Sequence, residues 1–345
     1  MSDQLTMKQI LARVAQAETL SENEAERAFD IMMSGEASPA QIGGFLMALR
    51  VRGETVAEIT GAARIMRAKA HGLDAPPDAI DTCGTGGDAS GTYNISTAAA
   101  LVAAGCGVPV AKHGNRALSS KSGSADVLAA LGVKIDADFA LVRESLWDNH
   151  IGFLMATRHH SAMRHVGGVR VELGTRTLFN LLGPLANPAG ARRQIVGVFA
   201  EPWVAPLAEV LGRLGSERAW VVHGSDGLDE LTTTGPSHVA EWRDGKLRRF
   251  VVTPDQAGLP LAAIEDLRGG DAEHNGKALL GLLDGEPGAY RHIVLLNAAA
   301  ALVVAGRADS LAEGARQAAQ AIDDGRARRA LARLVEITNR EPTPS

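Results

Sequence analysis

Apolar residues in the first seventy positions recur at helical spacing. Ser21-Glu22-Asn23-Glu24 is a capping box, and Ala25, Phe29, Ile31 and Met32 follow it on a helical period. Ser38-Pro39 supplies an N-cap with proline at the first helical position, opening a helix that buries Ile42, Phe45, Leu46 and Leu49. Thr55-Val56-Ala57-Glu58 is a second capping box, ahead of Ile59, Ala62, Ile65 and Met66. These elements predict a small all-helical module, closed by the linker Asp74-Ala75-Pro76-Pro77-Asp78.

Beyond the linker the period changes. Short β-prone runs at 79–82, 108–111, 152–155, 195–199 and 219–223 alternate with alanine- and leucine-rich stretches such as 96–104 and 125–131. Strand–helix–strand alternation predicts an α/β domain whose mostly parallel sheet carries helices on both faces. We expect a helical domain over 1–73, joined by a segment at about 165–190, and an α/β catalytic domain over 74–164 and 191–345. Sheets of this kind bind ligands beyond the carboxyl ends of their strands, so the loops there are where chemistry is sought.

Composition narrows the class. The 345 residues carry 40 acidic and 35 basic side chains, a net charge of −5 with no Lys/Arg block. A nucleic-acid partner is therefore not expected. Two cysteines, Cys83 and Cys106, make no disulfide framework and suit a reducing compartment. The polar start resembles no signal segment, and the apolar run from Ile293 to Ala305 is interrupted by Asn297 and too short to span a bilayer. A cytoplasmic enzyme without membrane attachment is expected.

Three loops follow strands and carry candidate chemistry. The first, Asp81-Thr82-Cys83-Gly84-Thr85-Gly86-Gly87-Asp88, has three glycines in four positions, which lets backbone N–H groups approach an anion. It runs on through Gly91-Thr92-Tyr93-Asn94-Ile95-Ser96-Thr97 into an alanine-rich helix, a phosphate-binding arrangement. Gly84, Gly86 and Ala89 satisfy a dinucleotide fingerprint, but the helix opens too late and no acid follows at the right distance. A triphosphate loop of the G-x-x-x-x-G-K-[ST] type is absent. The second loop runs from Lys112 to Ser124 with three cations and four serines, a concentration suited to pyrophosphate in an otherwise acidic protein. The third ends in Asp229-Glu230, adjacent carboxylates able to hold magnesium with phosphate oxygens. Further along, His159, His160 and His165 have no cysteine or acid at ligand spacing, so zinc is not expected. Met163, Val166 and Arg170 share one helix face.

In this order and spacing the segments resemble the anthranilate phosphoribosyltransferase family of the tryptophan pathway. Gly84–Asp88, Asn94–Thr97, Lys112–Ser124, Arg176–Pro184 and Asp226–Glu230 carry the resemblance. Ser161 and Gly168 replace a proline common in the family, and Ala117 an occasional serine. The resemblance implies a nucleoside phosphorylase/phosphoribosyltransferase-like fold and transfer of phosphoribose from phosphoribosyl pyrophosphate to anthranilate. It implies that Gly84, Gly87, Asp88 and Thr92 of the first loop surround the phosphoribosyl pyrophosphate, together with Asn94, Ile95, Ser96 and Thr97 at the helix start. From the second loop it adds Lys112, His113, Gly114, Asn115, Arg116, Ala117, Leu118, Ser119, Ser120 and Ser124. Gly84, Asn115 and Arg170 would contact anthranilate, with His113 along its path, and Ser96, Asp229 and Glu230 would bind two Mg2+ per subunit. A hinge over 157–185 and a homodimer through the helical domain are implied as well. No residue is expected to serve as a general base. Two alternatives stay open: a pyrimidine nucleoside phosphorylase, and a non-catalytic nucleic-acid-binding relative of the same fold.

Overall fold

The three caps read from the sequence all form. In a computed structural model that describes residues 5–88, 90–117 and 121–341, helix α1 (Met7–Val14) is opened by Thr6 with Gln9, and α2 (Glu22–Met33) by Ser21 with Glu24. Helices α3 (Pro39–Arg52) and α4 (Val56–Ala68) follow the same logic through Ser38 with Gln41 and Thr55 with Glu58. Each box satisfies two backbone donors that the helix start leaves orphaned. Glu58 does more than cap. Its fully buried carboxylate also accepts the Leu20 N–H at 3.0 Å and pairs with Arg52, tying three helices together.

The chain then alternates as expected. Strand β1 (Ile80–Gly84) leads to α5 (Ile95–Gly105), β2 (Val110–Gly114), α6 (Ser124–Ala130), α7 (Phe139–Asp148) and β3 (Ile151–Met155). Three helices, α8 (Ala156–His159), α9 (Arg164–Leu173) and α10 (Phe179–Leu182), return to the helical module before β4 (Arg193–Gly197), α11 (Val204–Arg213) and β5 (Arg218–Gly224). The sheet continues past the five strands read from the sequence. A hairpin of β6 (Ser237–Arg243) and β7 (Lys246–Val252) adds two antiparallel strands, turning at Asp244-Gly245. Its outer strand, Lys-Leu-Arg-Arg-Phe-Val-Val, is mostly exposed and so lacks the apolar run that marks a buried strand. The Asp-Gly pair was its one legible signal. Helices α12 (Ala272–Leu283), α13 (Ala289–Ala305), α14 (Leu311–Asp323) and α15 (Arg326–Thr338) complete the chain.

Strand order is β3-β2-β1-β4-β5-β6-β7, parallel from β3 to β5. Adjacent residues point to opposite faces, so Ile195, Trp220 and Val222 join the core under α5 and α13. Val196, Ala219 and Val221 join the core that α11 shares with the helical module. Chain direction out of the sheet reverses between β1 and β4, and a doubly wound sheet opens a crevice at such a point. The segments joining the two cores lean on each other: His71 donates its N–H to the His159 carbonyl at 2.8 Å, and Leu73 to that of Pro188 at 3.1 Å. No helix among the described residues is long and apolar enough to cross a membrane.

Candidate active site

The crevice between β1 and β4 holds a cleft of about 510 Å³. At its floor, Gly84 and Gly197 are partners in register at the two strand ends. A side-chain carbon at Gly84 would collide with the Asp229 carboxylate, and one at Gly197 with the Asp229 backbone. Two missing side chains therefore let the Asp229-Glu230 loop settle onto the sheet edge. Gly86 and Gly87 follow with positive φ (66° and 76°), and the Gly86 N–H donates to Asp229 Oδ2 at 2.7 Å. Asp88 accepts from the Ser90 hydroxyl at 2.6 Å, and Thr92 forms an isolated antiparallel bridge with Arg268. Helix α5 starts at Ile95 with Asn94 at its N-cap, but no side chain caps it. The Ile95 N–H turns to Tyr93 O at 2.9 Å and the Ser96 N–H to Glu230, while the positive end of the helix dipole faces the cleft and favours an anion there. The Asn94 amide is occupied elsewhere, donating to Ser122 O at 3.2 Å and accepting from Asn275 at 2.9 Å. Ile95 and Thr97 are buried in that first turn.

Strand β2 delivers Lys112 and His113. Lys112 is 2% exposed and donates to Thr82 O at 2.6 Å. Beneath it Asp81 is fully buried, accepting the His113 N–H at 3.1 Å and the Asn187 amide at 2.7 Å. Burial pushes the Asp81 carboxyl up to about 6, against the pull of the Lys112 charge. The His113 ring reaches the segments after α8 and α10: Nδ1 lies 3.1 Å from Gly183 O, and the ring meets His160 edge-on at 5.2 Å. Burial holds His113 down at about 3 and His160 at about 4, so both imidazoles are neutral at pH 7. Past Gly114 and Asn115, Arg116 pairs with Asp126 at 2.9 Å, and the same carboxylate accepts the N–H groups of Ala117 and Gly123. The Ser124 hydroxyl reaches Asn115 O at 3.4 Å. Leu118, Ser119 and Ser120, like Ala89, lie outside the described residues.

Glu230 Oε1 accepts the Ser96 N–H at 3.1 Å, which sets Asp229, Glu230 and Ser96 together on one wall. Burial pushes both carboxyls well above their ordinary range, and negative neighbours add to it: Asp88 acts on Asp229, and Asp229 on Glu230. Two crowded carboxylates beside a hydroxyl, with Lys112 as countercharge, form a hard-oxygen set suited to Mg2+.

The opposite wall comes from α9 and α10. Met163 and Gly167 line the cleft, whereas Val166 is fully buried in the helical core. Arg170 also lines it, half-buried, with its guanidinium 5.3 Å from the centre of the Phe179 ring. It forms no ion pair with Glu172 or any other acid among the described residues. Several participants escape a reading of the sequence. Gly197 sits inside a strand run and becomes meaningful only beside Asp229. Asn187 bonds both Asp81 and Ala111 O across the hinge. Arg176 bonds Gly87 O and stacks on Phe199.

The chain matches family models described as the glycosyl transferase family helical bundle domain over residues 8–70 and the glycosyl transferase family a/b domain over residues 76–328. It is 69% identical over 334 residues to an anthranilate phosphoribosyltransferase of Paramagnetospirillum magneticum, covering 97% of this chain and 96% of that protein. The crystal structure of anthranilate phosphoribosyltransferase from Thermus thermophilus superposes with a TM-score of 0.91 at 45% identity, covering 96% of this chain and 99% of that one. The Saccharomyces cerevisiae enzyme, in a complex with phosphoribosyl pyrophosphate and magnesium, gives 0.88 at 27% identity, over 96% and 97%. Matched along both its helical and its α/β parts, the chain belongs to the anthranilate phosphoribosyltransferase family, transferases that join a helical bundle to a glycosyl-transferring α/β domain.

Proposed function

We propose that the chain transfers the phosphoribosyl group of 5-phosphoribosyl 1-pyrophosphate to anthranilate, giving N-(5-phosphoribosyl)anthranilate and pyrophosphate. The observation that carries this reading is the composition of one cleft. The positive end of α5, a glycine loop and Lys112 meet a carboxylate pair on one side, and a guanidinium with no acid partner among the described residues stands on the other. The amine nitrogen bonds to ribose C1 as the bond from C1 to the pyrophosphate oxygen breaks, and the amine proton passes to solvent. An arylamine is uncharged at neutral pH and needs no base to become a nucleophile. The leaving group needs charge neutralisation instead.

Asp229, Glu230 and the Ser96 hydroxyl would hold Mg2+, two ions per subunit, and the metal when bound supplies countercharge to the diphosphate. The α5 N-terminus and the glycine loop would cradle the phosphates, with Lys112 through Ser124 closing around them. Arg170, with Gly84 and Asn115, would orient anthranilate, and neutral His113 would line its path. The helical domain, 1–73 with about 165–190, would close on 74–164 and 191–345 about a hinge at 157–185.

We place the protein in the cytoplasm as a homodimer joined through its helical domain. Val51 on α3 and Val171 on α9 each stand 82% exposed on helices that pack together, apolar surface that a partner would cover. Light scattering should find a dimer at micromolar concentration; a monomer removes this part of the reading. Phosphorolysis of pyrimidine nucleosides gives the carboxylate pair no task, and a net charge of −5 offers no footprint for nucleic acid. The deciding assay is incubation with anthranilate, phosphoribosyl pyrophosphate and Mg2+. Product should require all three. Pyrophosphate release at an equal rate without anthranilate, or efficient thymidine phosphorolysis, overturns the proposal.

A further inference from the structure

From Ile293 onward α13 is apolar except for one side chain, Asn297, which is 3% exposed. A buried amide is costly unless its hydrogen bonds are made. Here two of them are made to one residue. Asn297 Oδ1 accepts the Leu231 N–H at 3.1 Å, and Nδ2 donates to the Leu231 carbonyl at 2.8 Å. A second Nδ2 bond, to Ile293 O at 2.9 Å, locks the amide to its own helix. The amide thus grips both polar groups of one residue, as a neighbouring strand would. Leu231 directly follows Asp229 and Glu230, and its side chain is fully buried. Between helix and loop lies a cavity of about 10 Å³, lined by Asn297, Glu230, Ser96 and Thr82, with room for about one water.

We propose that Asn297 is a positioning residue for the carboxylate pair. Acting through the Leu231 backbone, it fixes how far and at what angle Asp229 and Glu230 enter the cleft. This rests on the reading that those carboxylates hold magnesium. The remainder of the loop has separate anchors: Thr232 and Thr234 donate their hydroxyls to Asp226 at 2.6 and 2.7 Å, and Ser237 accepts the Thr232 N–H at 2.9 Å. Loss of the amide therefore loosens the register of the acids without releasing the loop. Leucine shares the branched shape of asparagine and, although larger, suits the apolar surroundings, so packing alone does not call for an amide here.

The test compares Asn297→Leu and Asn297→Ala with Glu230→Gln and with Leu302→Ala, a destabilised control on the same helix. Manganese(II) binding in the presence of phosphoribosyl pyrophosphate is followed by electron paramagnetic resonance, alongside melting temperature and the KM values for Mg2+ and anthranilate. Both Asn297 variants should weaken manganese binding and raise the Mg2+ KM by about tenfold, as loss of a group supporting metal ligands does. Their anthranilate KM should stay near wild type, and Leu302→Ala should lose stability with its metal constants intact. If Glu230→Gln weakens manganese binding and the Asn297 variants do not, Asn297 is not a positioning residue and the metal reading stands. Unchanged manganese affinity in Glu230→Gln sinks the metal reading and this inference with it. A chain that fails to fold with either replacement also overturns the inference, because the amide then serves the fold rather than the site.

Discussion

Replacing Glu230 by glutamine is expected to lower kcat by roughly tenfold or more, and up to a thousandfold if the pair carries most of the charge stabilisation. The substitution is nearly isosteric. It retains an oxygen to accept the Ser96 N–H. It also removes one of two negative charges crowded into a poorly solvated wall, where burial and the repulsion of Asp229 outweigh the attraction of Lys112. Melting temperature without metal should therefore hold or rise while turnover falls. Raising Mg2+ should recover part of the loss if the residue acts through metal affinity, and none if it acts only in the transition state. Near-normal activity at limiting Mg2+ would reduce Asp229-Glu230 to a buried turn.

Arg170→Ala is expected to cost roughly 10- to 150-fold in kcat/KM for anthranilate, the loss of a charge-assisted hydrogen bond worth about 1.5–3 kcal/mol. Anthranilate presents a planar carboxylate beside its amine, and a guanidinium fork matches it in two bonds. The side chain is already set for this. It leans on Phe179, stands half out of water and has no competing acid among the described residues. Partial burial lowers its pKa but leaves it charged. Because Arg170 lies on the hinge wall and the phosphate-binding elements on the other, the KM for phosphoribosyl pyrophosphate should move far less. The penalty should shrink for an aromatic amine that lacks the carboxylate. Equal losses on both amines would mean that Arg170 supports the fold or the phosphate site. Arg170→Lys should recover only part of the activity, since an ammonium restores the charge without the fork or the stacking.

Local rules were legible because their partners are near in sequence. Ser21 with Glu24 and Thr55 with Glu58 form helix starts through contacts three residues apart, and Ser38 opens α3 with Pro39 directly after it. The five parallel strands showed as short β-prone runs alternating with helical stretches, and most of their residues are buried. The hairpin after β5 did not, because its outer strand faces solvent and its pattern is set by charge rather than burial.

The glycine loop, the cationic loop and the Asp229-Glu230 pair were visible from sequence for the same reason, since each is a short run of residue types suited to one kind of ligand. What no window of sequence holds is their convergence. Strand order decides that β1 lies between β2 and β4, and so brings residues 84, 112 and 229 to one edge. The match between Gly84, Gly197 and Asp229 is a steric fact between residues of separate elements, distant along the chain. Asn297 showed in the sequence only as a break in an apolar run; its purpose depends on Leu231 arriving beside it from another element. Sequence by itself determined which elements form and which chemistry each loop can offer, because those depend on neighbours within a turn or a strand. Tertiary structure alone decided which loops share a cleft, which carboxylates are crowded together in its wall and that Arg170 faces it, because these depend on contacts between distant parts of the chain.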